Sequence, residues 1–138
     1  RDLHRVDRRQ RQMCIRDSSM EIYRSEFREL LNRSIQYADN HAGCVVVLSI
    51  PDWGVTPFAR TMGVEQGQVS SQIDRFNEIN REEAELAGVR YVDVTGISRT
   101  AADDSSLIAG DGLHPSSVMY RAWIERILPE AKACLNEK

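Results

Sequence analysis

The sequence predicts an α/β protein, a parallel sheet layered between helices. Two observations carry that expectation. Segments with helical and strand periodicity alternate along the chain, and one strand segment, Cys44–Ile50, is an unbroken run of β-branched and apolar residues. A strand with no polar face is the mark of a parallel sheet covered on both sides.

The elements follow in order. From Met20 to Asn40 the apolar positions Ile22, Phe27, Leu30, Leu31, Ile35 and Ala38 recur every three to five residues with Arg and Glu between them, which predicts an amphipathic helix. Asn40-His41-Ala42-Gly43 supplies its stop, and Cys44–Ile50 is the first strand. Pro51–Pro57 reads as a loop by its Pro and Gly content. A second helix then carries Val69, Ile73, Phe76, Ile79 and Leu86 and ends at Gly88. Val89–Val94 is the second strand, Thr95–Gly110 a polar irregular stretch. Ser116 is the expected N-cap of a last helix bearing Val118, Met119, Ala122, Trp123 and Ile127, with Pro129 a kink or a restart.

Two strands do not make a stable parallel sheet, because a strand apolar on both faces also needs hydrogen-bonding neighbours on both edges. The expectation is therefore that this chain is the C-terminal part of a larger sheet.

Length and composition narrow the function. At 138 residues the chain has room for one ordinary domain, and 41% hydrophobic with 28% charged residues is the balance of a globular protein. A net charge of -3 offers no basic field for nucleic acid, and no apolar run reaches membrane-spanning length. Cys14, Cys44 and Cys134 are odd in number and widely spaced. They suggest neither a disulfide framework nor a zinc site, and Cys44 and Cys134 read as buried structural thiols. Reduced cysteines lean toward a cytoplasmic location, which stays otherwise unread because the true N-terminus is expected to be missing.

Residues 1–18 stand apart, with six Arg against three Asp and neither helical nor strand periodicity. Arg9–Ser18 resembles the translation of an adapter used to prepare sequencing libraries. Residues 1–18 are therefore set aside as a non-native tract, His4 and Cys14 with them.

In open α/β sheets ligands bind beyond the carboxyl ends of the strands. The segment after the second strand contains Gly110-Asp111-Gly112-Leu113-His114-Pro115. An Asp three residues before a His is placed to accept from Nδ1–H, fixing the tautomer so that Nε2 can take a proton from a nucleophile. Pro115 biases His114 toward an extended backbone. The same residues also suit a turn-former and a loop histidine, so the motif alone leaves both roles open. After the first strand, Asp52 and Trp53 could line a substrate cleft, or serve as a turn-former and a core lid; Thr56, a further candidate for the cleft, and Arg60 are equally ambiguous. Asp93 suits a turn cap, and His41 a surface position. No serine stands in a nucleophile elbow: Ser49 lies in a strand, and Ser105 and Ser106 have no such context.

The combination of Asp111, His114 and Pro115 with Val45–Phe58 resembles the GDSL/SGNH hydrolases over about Met20 to Leu128. The resemblance implies a three-layer, flavodoxin-like SGNH fold truncated at its N-terminus, residues 19–138 being the C-terminal part of a single domain. It implies a serine ester hydrolase acting on a small-molecule ester, with Asp111 and His114 as two members of the triad and no metal or organic cofactor. The G-D-S nucleophile and the glycine and asparagine blocks of the oxyanion hole are absent from this sequence, so the partner this chain lacks is the N-terminal half of its own domain, and alone it is expected to be inactive. Two other readings remain: a small flavodoxin-like binding domain, and a metal-dependent phosphoesterase with Asp52, Asp93, Asp111 and His114 as hard ligands.

Overall fold

The computed structural model describes the backbone of residues 3–136 and the side chains of residues 19–136. The elements are helix α1 (Leu3–Tyr37), strand β1 (Val46–Leu48), short helix α2 (Pro57–Thr61), α3 (Gln66–Ala87), β2 (Arg90–Val92), short helix α4 (Thr95–Arg99) and α5 (Ser117–Asn136). Single 3-10 turns fall at Ala42–Cys44, Trp53–Val55, Thr100–Ala102 and Ser105–Leu107.

The strands pair in parallel, Val46 opposite Arg90, Val47 opposite Tyr91 and Leu48 opposite Val92. Alternation along the strands then sorts the helices. Val45, Val47 and Tyr91 pack under α1 and α3 with Leu31, Ala84 and Val89. Val46, Val92 and Val94 face the other way, onto Met119 and Trp123 of α5. The result is the expected helix–sheet–helix layering, with β1–α3–β2 as one crossover unit.

Packing between α1 and α3 is polar as well as apolar. Glu83, 3% exposed, accepts from Arg24 Nη1 at 2.9 Å and from Arg28 Nε at 2.8 Å. Tyr23 donates its hydroxyl to Asn80 Oδ1 at 2.7 Å and sets its ring edge-on to Phe76. The Arg28 guanidinium, aided by Arg24, holds the Glu83 carboxyl down at about 2.

Several expectations change. The first helix starts at Leu3, not Met20; residues 9–18 include Arg, Gln and Met, good helix formers, and extending an existing helix avoids a new nucleus. The side chains of His4 and Cys14 lie outside the described residues. Strand Cys44–Ile50 contracts to Val46–Leu48 because Cys44 belongs to a 3-10 turn and the Ile50 backbone is held by a side chain: its N–H donates to Asn77 Oδ1 at 2.8 Å and its carbonyl accepts from Asn77 Nδ2 at 3.2 Å. Nor is β1 buried on both faces throughout, since Leu48 is 37% exposed. Val89–Val94 likewise shortens to Arg90–Val92. The irregular stretch Thr95–Gly110 contains α4 and two 3-10 turns. Gly88 ends α3 as expected, in the left-handed region at φ 71° that favours glycine, but Leu86 is 80% exposed. Helix α5 runs through Pro129 without a restart.

The cysteine reading is overturned. Cys44 and Cys134 form a disulfide with their Cα atoms 4.9 Å apart, tying the entrance of β1 to the last turns of α5. A separation of 90 residues carries no pairing signal in a sequence; the fold brings the two together. The argument for a reducing compartment, which rested on free thiols, falls with it.

Candidate active site

The carboxyl ends of β1 and β2 open onto a layer of turns that includes the Asp–His loop. Ser49, just past β1, receives the N–H groups of Val94 (2.8 Å) and Thr95 (3.0 Å) on its hydroxyl and donates to Asp93 Oδ1 at 3.1 Å. Buried and bonded in this way, Ser49 stitches the two strand ends together. Asp93 accepts in turn from Thr95 N–H at 2.8 Å, a cap on the turn into α4.

Asp52 sits 1% exposed at the start of the next turn. Its Oδ1 accepts from Gly54 N–H at 2.9 Å, and its Oδ2 accepts from Ser70 Oγ at 2.5 Å and Arg99 Nε at 2.9 Å. Both oxygens are committed within the fold. Thr56 donates to the Trp53 carbonyl at 2.6 Å and accepts from Ala59 N–H at 3.3 Å, capping α2. Trp53 keeps 38% of its surface exposed, so it is no core lid. Asp52, Trp53 and Thr56 share a cavity of about 40 Å³ with Leu113 and Pro115, the two neighbours of His114. Arg60 is exposed and donates to the Val55 carbonyl at 3.3 Å.

The Asp–His loop is a pinned hairpin. Ala109 N–H donates to the His114 carbonyl at 2.8 Å and Ser116 N–H to the Leu107 carbonyl at 2.8 Å, with Ile108 and Pro115 bridged antiparallel. Gly112 turns the tip at φ 74°, where an L side chain is strained, and its carbonyl accepts from Phe58 N–H at 3.0 Å. Ser116 caps α5, receiving Met119 N–H at 3.4 Å and donating to the Ser106 carbonyl at 2.6 Å.

Within this frame Asp111 Oδ1 accepts from the N–H groups of Leu113 (2.9 Å) and His114 (3.0 Å), and Oδ2 lies 2.5 Å from His114 Nδ1. The backbone amide of His114, then that of Leu113, then the imidazole hold the Asp111 carboxyl down at about 2. The imidazole is 68% exposed, and among the described residues its side-chain bonding runs through Nδ1 alone.

Comparison with known proteins adds the family. The profile of the GDSL-like Lipase/Acylhydrolase family matches residues 6–122.

The chain belongs to the GDSL-like lipase/acylhydrolase family.

No curated protein and no solved structure matches. Among the described residues the Asp–His loop lies between the second strand and the last helix. Among the described residues, no three His, Cys, Asp or Glu side chains group as a metal ion would need, and no helix is long and apolar enough to cross a membrane. Neither the Arg99–Asp52 ion pair nor the Phe58–Gly112 link that steadies the loop is legible from sequence, because a lone Arg in a polar stretch and a backbone amide carry no pattern.

Proposed function

We propose that the chain carries the acid–base half of a serine ester hydrolase. In this reading a serine hydroxyl attacks the carbonyl of a small-molecule ester while His114 Nε2 takes the hydroxyl proton. The imidazolium then gives that proton to the departing alcohol, leaving the acyl group on the serine. Water, deprotonated by His114 in the second half, releases the acid and restores the serine. Asp111 keeps Nδ1 protonated throughout and offsets the charge on the imidazolium.

One observation carries the reading: a carboxylate fixed by two backbone amides meets Nδ1 at 2.5 Å and leaves the imidazole largely exposed. In this reading the serine and the oxyanion donors are supplied by polypeptide other than residues 19–138. Substrate contact on this side falls to Trp53, since the polar atoms of Asp52 and Thr56 are engaged in shaping the turn beneath it.

The test pairs this chain with the N-terminal half of a family hydrolase that bears its own G-D-S serine, glycine and asparagine blocks. Once a complex is verified, hydrolysis of p-nitrophenyl acetate is measured. Turnover that falls on the order of 10³-fold with His114→Ala is the expected result; a complex whose turnover ignores His114 overturns the reading.

A further inference from the structure

Helix α3 presents two opposite flanks. On one, Phe76 and Glu83 meet Tyr23, Arg24 and Arg28 of α1. Asp74 and Arg81, each two residues earlier, lie about 200° round the helix, on the flank away from α1. There Asp74, Glu78 and Arg81 stand across a cleft of about 500 Å³ from Tyr91 and Asp93 at the end of β2 and from the start of α4. That volume falls within the roughly 300–1,000 Å³ of small-molecule sites. None of the residues lining the cleft belongs to α1, β1, α5 or the Asp–His hairpin.

The walls are fixed from behind. Asn77 holds the Ile50 backbone and donates to Thr95 Oγ1 at 2.9 Å. Arg99 donates from Nη2 to Asp74 Oδ1 at 2.8 Å and from Nε to Asp52 at 2.9 Å, bracing α4 against α3. The Tyr91 hydroxyl donates to the Asn77 carbonyl at 3.4 Å. A cleft braced in this way exists before a ligand arrives, which spares binding much of its ordering cost.

The groups left over select the ligand. Among the described residues Glu78 and Arg81 have no hydrogen bond or ion pair, and both are exposed. Asp74 and Asp93 bond through Oδ1 alone, so their Oδ2 atoms remain free to accept. A ligand of net negative charge would meet Asp74, Glu78 and Asp93, and one of net positive charge Arg81 and Arg99, at the short range where like charges repel most. Hydroxyl groups escape both penalties, since they donate, accept and carry no charge. Tyr91 adds aromatic surface on which the C–H face of a sugar ring can lie.

We propose that this cleft is a second binding site, one for a neutral polyhydroxylated ligand, a small saccharide, with Arg81 donating to its hydroxyl groups and Asp74, Glu78 and Asp93 accepting from them. It shares no side chain with the Asp111–His114 pair and does not depend on the catalytic reading.

The probes are neutral mono- and disaccharides of glucose, galactose, mannose and xylose, with glucosamine and glucuronate as charged counterparts, each titrated into the full chain and followed by amide NMR. Expected with at least one neutral sugar is a saturable shift centred on the Tyr91, Asp93 and Gly96 signals, with a dissociation constant of about 1 mM. The charged counterparts should bind more weakly, and the neutral sugar equally well at about 0.05 and 0.5 M salt. Arg81→Ala and Glu78→Ala, both at exposed positions, should weaken binding at least about fivefold and leave the circular dichroism unchanged. No shift with any neutral sugar, shifts that spare these signals, tighter binding of a charged counterpart, or an affinity indifferent to both variants each overturns the proposal. Ester hydrolysis plays no part in the readout, so failure of the catalytic reading leaves this result untouched.

Discussion

The carboxylate of Asp111 meets His114 twice, Oδ1 at the backbone N–H and Oδ2 at ring Nδ1. The side chain that orients the imidazole also fixes the backbone from which it projects. Orientation of the ring is thus set within four consecutive residues.

Asp111→Asn tests this directly. The new amide oxygen can still accept the backbone N–H groups, but the amide nitrogen donates, and a donor facing Nδ1 selects the tautomer with the proton on Nε2. In the reconstituted enzyme, turnover should fall by about 10³- to 10⁴-fold with the loop intact. Hydrogen exchange at Leu113 and His114 unchanged beside lost turnover would place the effect in the tautomer; unchanged turnover would remove Asp111 from the mechanism.

Acid gives a second check. The Asp111 carboxyl titrates at about 2 when folded, below the roughly 3.9 of an unfolded chain. The lowered value means that its bonds contribute in full above about pH 4 and fade as pH falls through about 2. Carboxyl carbon shifts followed by NMR should put its midpoint near the lower figure; a midpoint near 4 would show that the hairpin bonds are not held in solution.

Glu83 obeys the same sign in the body of the fold. Its carboxyl, held at about 2 by Arg28 and Arg24, against roughly 4.3 unfolded, stabilises the α1–α3 contact above about pH 4 and releases it as pH drops through about 2. Glu83→Ala should cost about 2 kcal/mol, the order of a charge-assisted hydrogen-bond network whose arginines can still reach water. Urea denaturation at pH 7 measures it.

Reduction of Cys44–Cys134 should lower stability by about 2–5 kcal/mol, because the bridge restrains a long loop in the unfolded chain. The comparison is urea midpoints with and without a dithiol reductant, repeated on Cys134→Ser, where the reductant should have no further effect.

Legibility in the sequence followed the range of the forces. Helix α3 was readable because Val69, Ile73 and Ile79 repeat locally and Gly88 stops it; yet the buried line continues through Asn80, Glu83 and Ala84 rather than to Leu86. A buried glutamate is intelligible only once Arg24 and Arg28, more than fifty residues away, are in place. The Asp111–His114 pair was readable because its partners are three residues apart. The short length of β1 depends on Asn77 capturing the Ile50 backbone, and the disulfide on α5 returning to the start of β1; both are encoded by the whole fold.

The bridge between Cys44 and Cys134 also changes what kind of object the chain is. Both strands, α3 and the Asp–His hairpin lie on a closed covalent ring, and α1 hangs from it as a tail. A single protease nick in the turn around Met62–Val64 would open the ring without dividing the molecule. The two pieces would migrate as one band on a denaturing gel until a reductant is added, whereas a cut within α1 would shed its fragment at once.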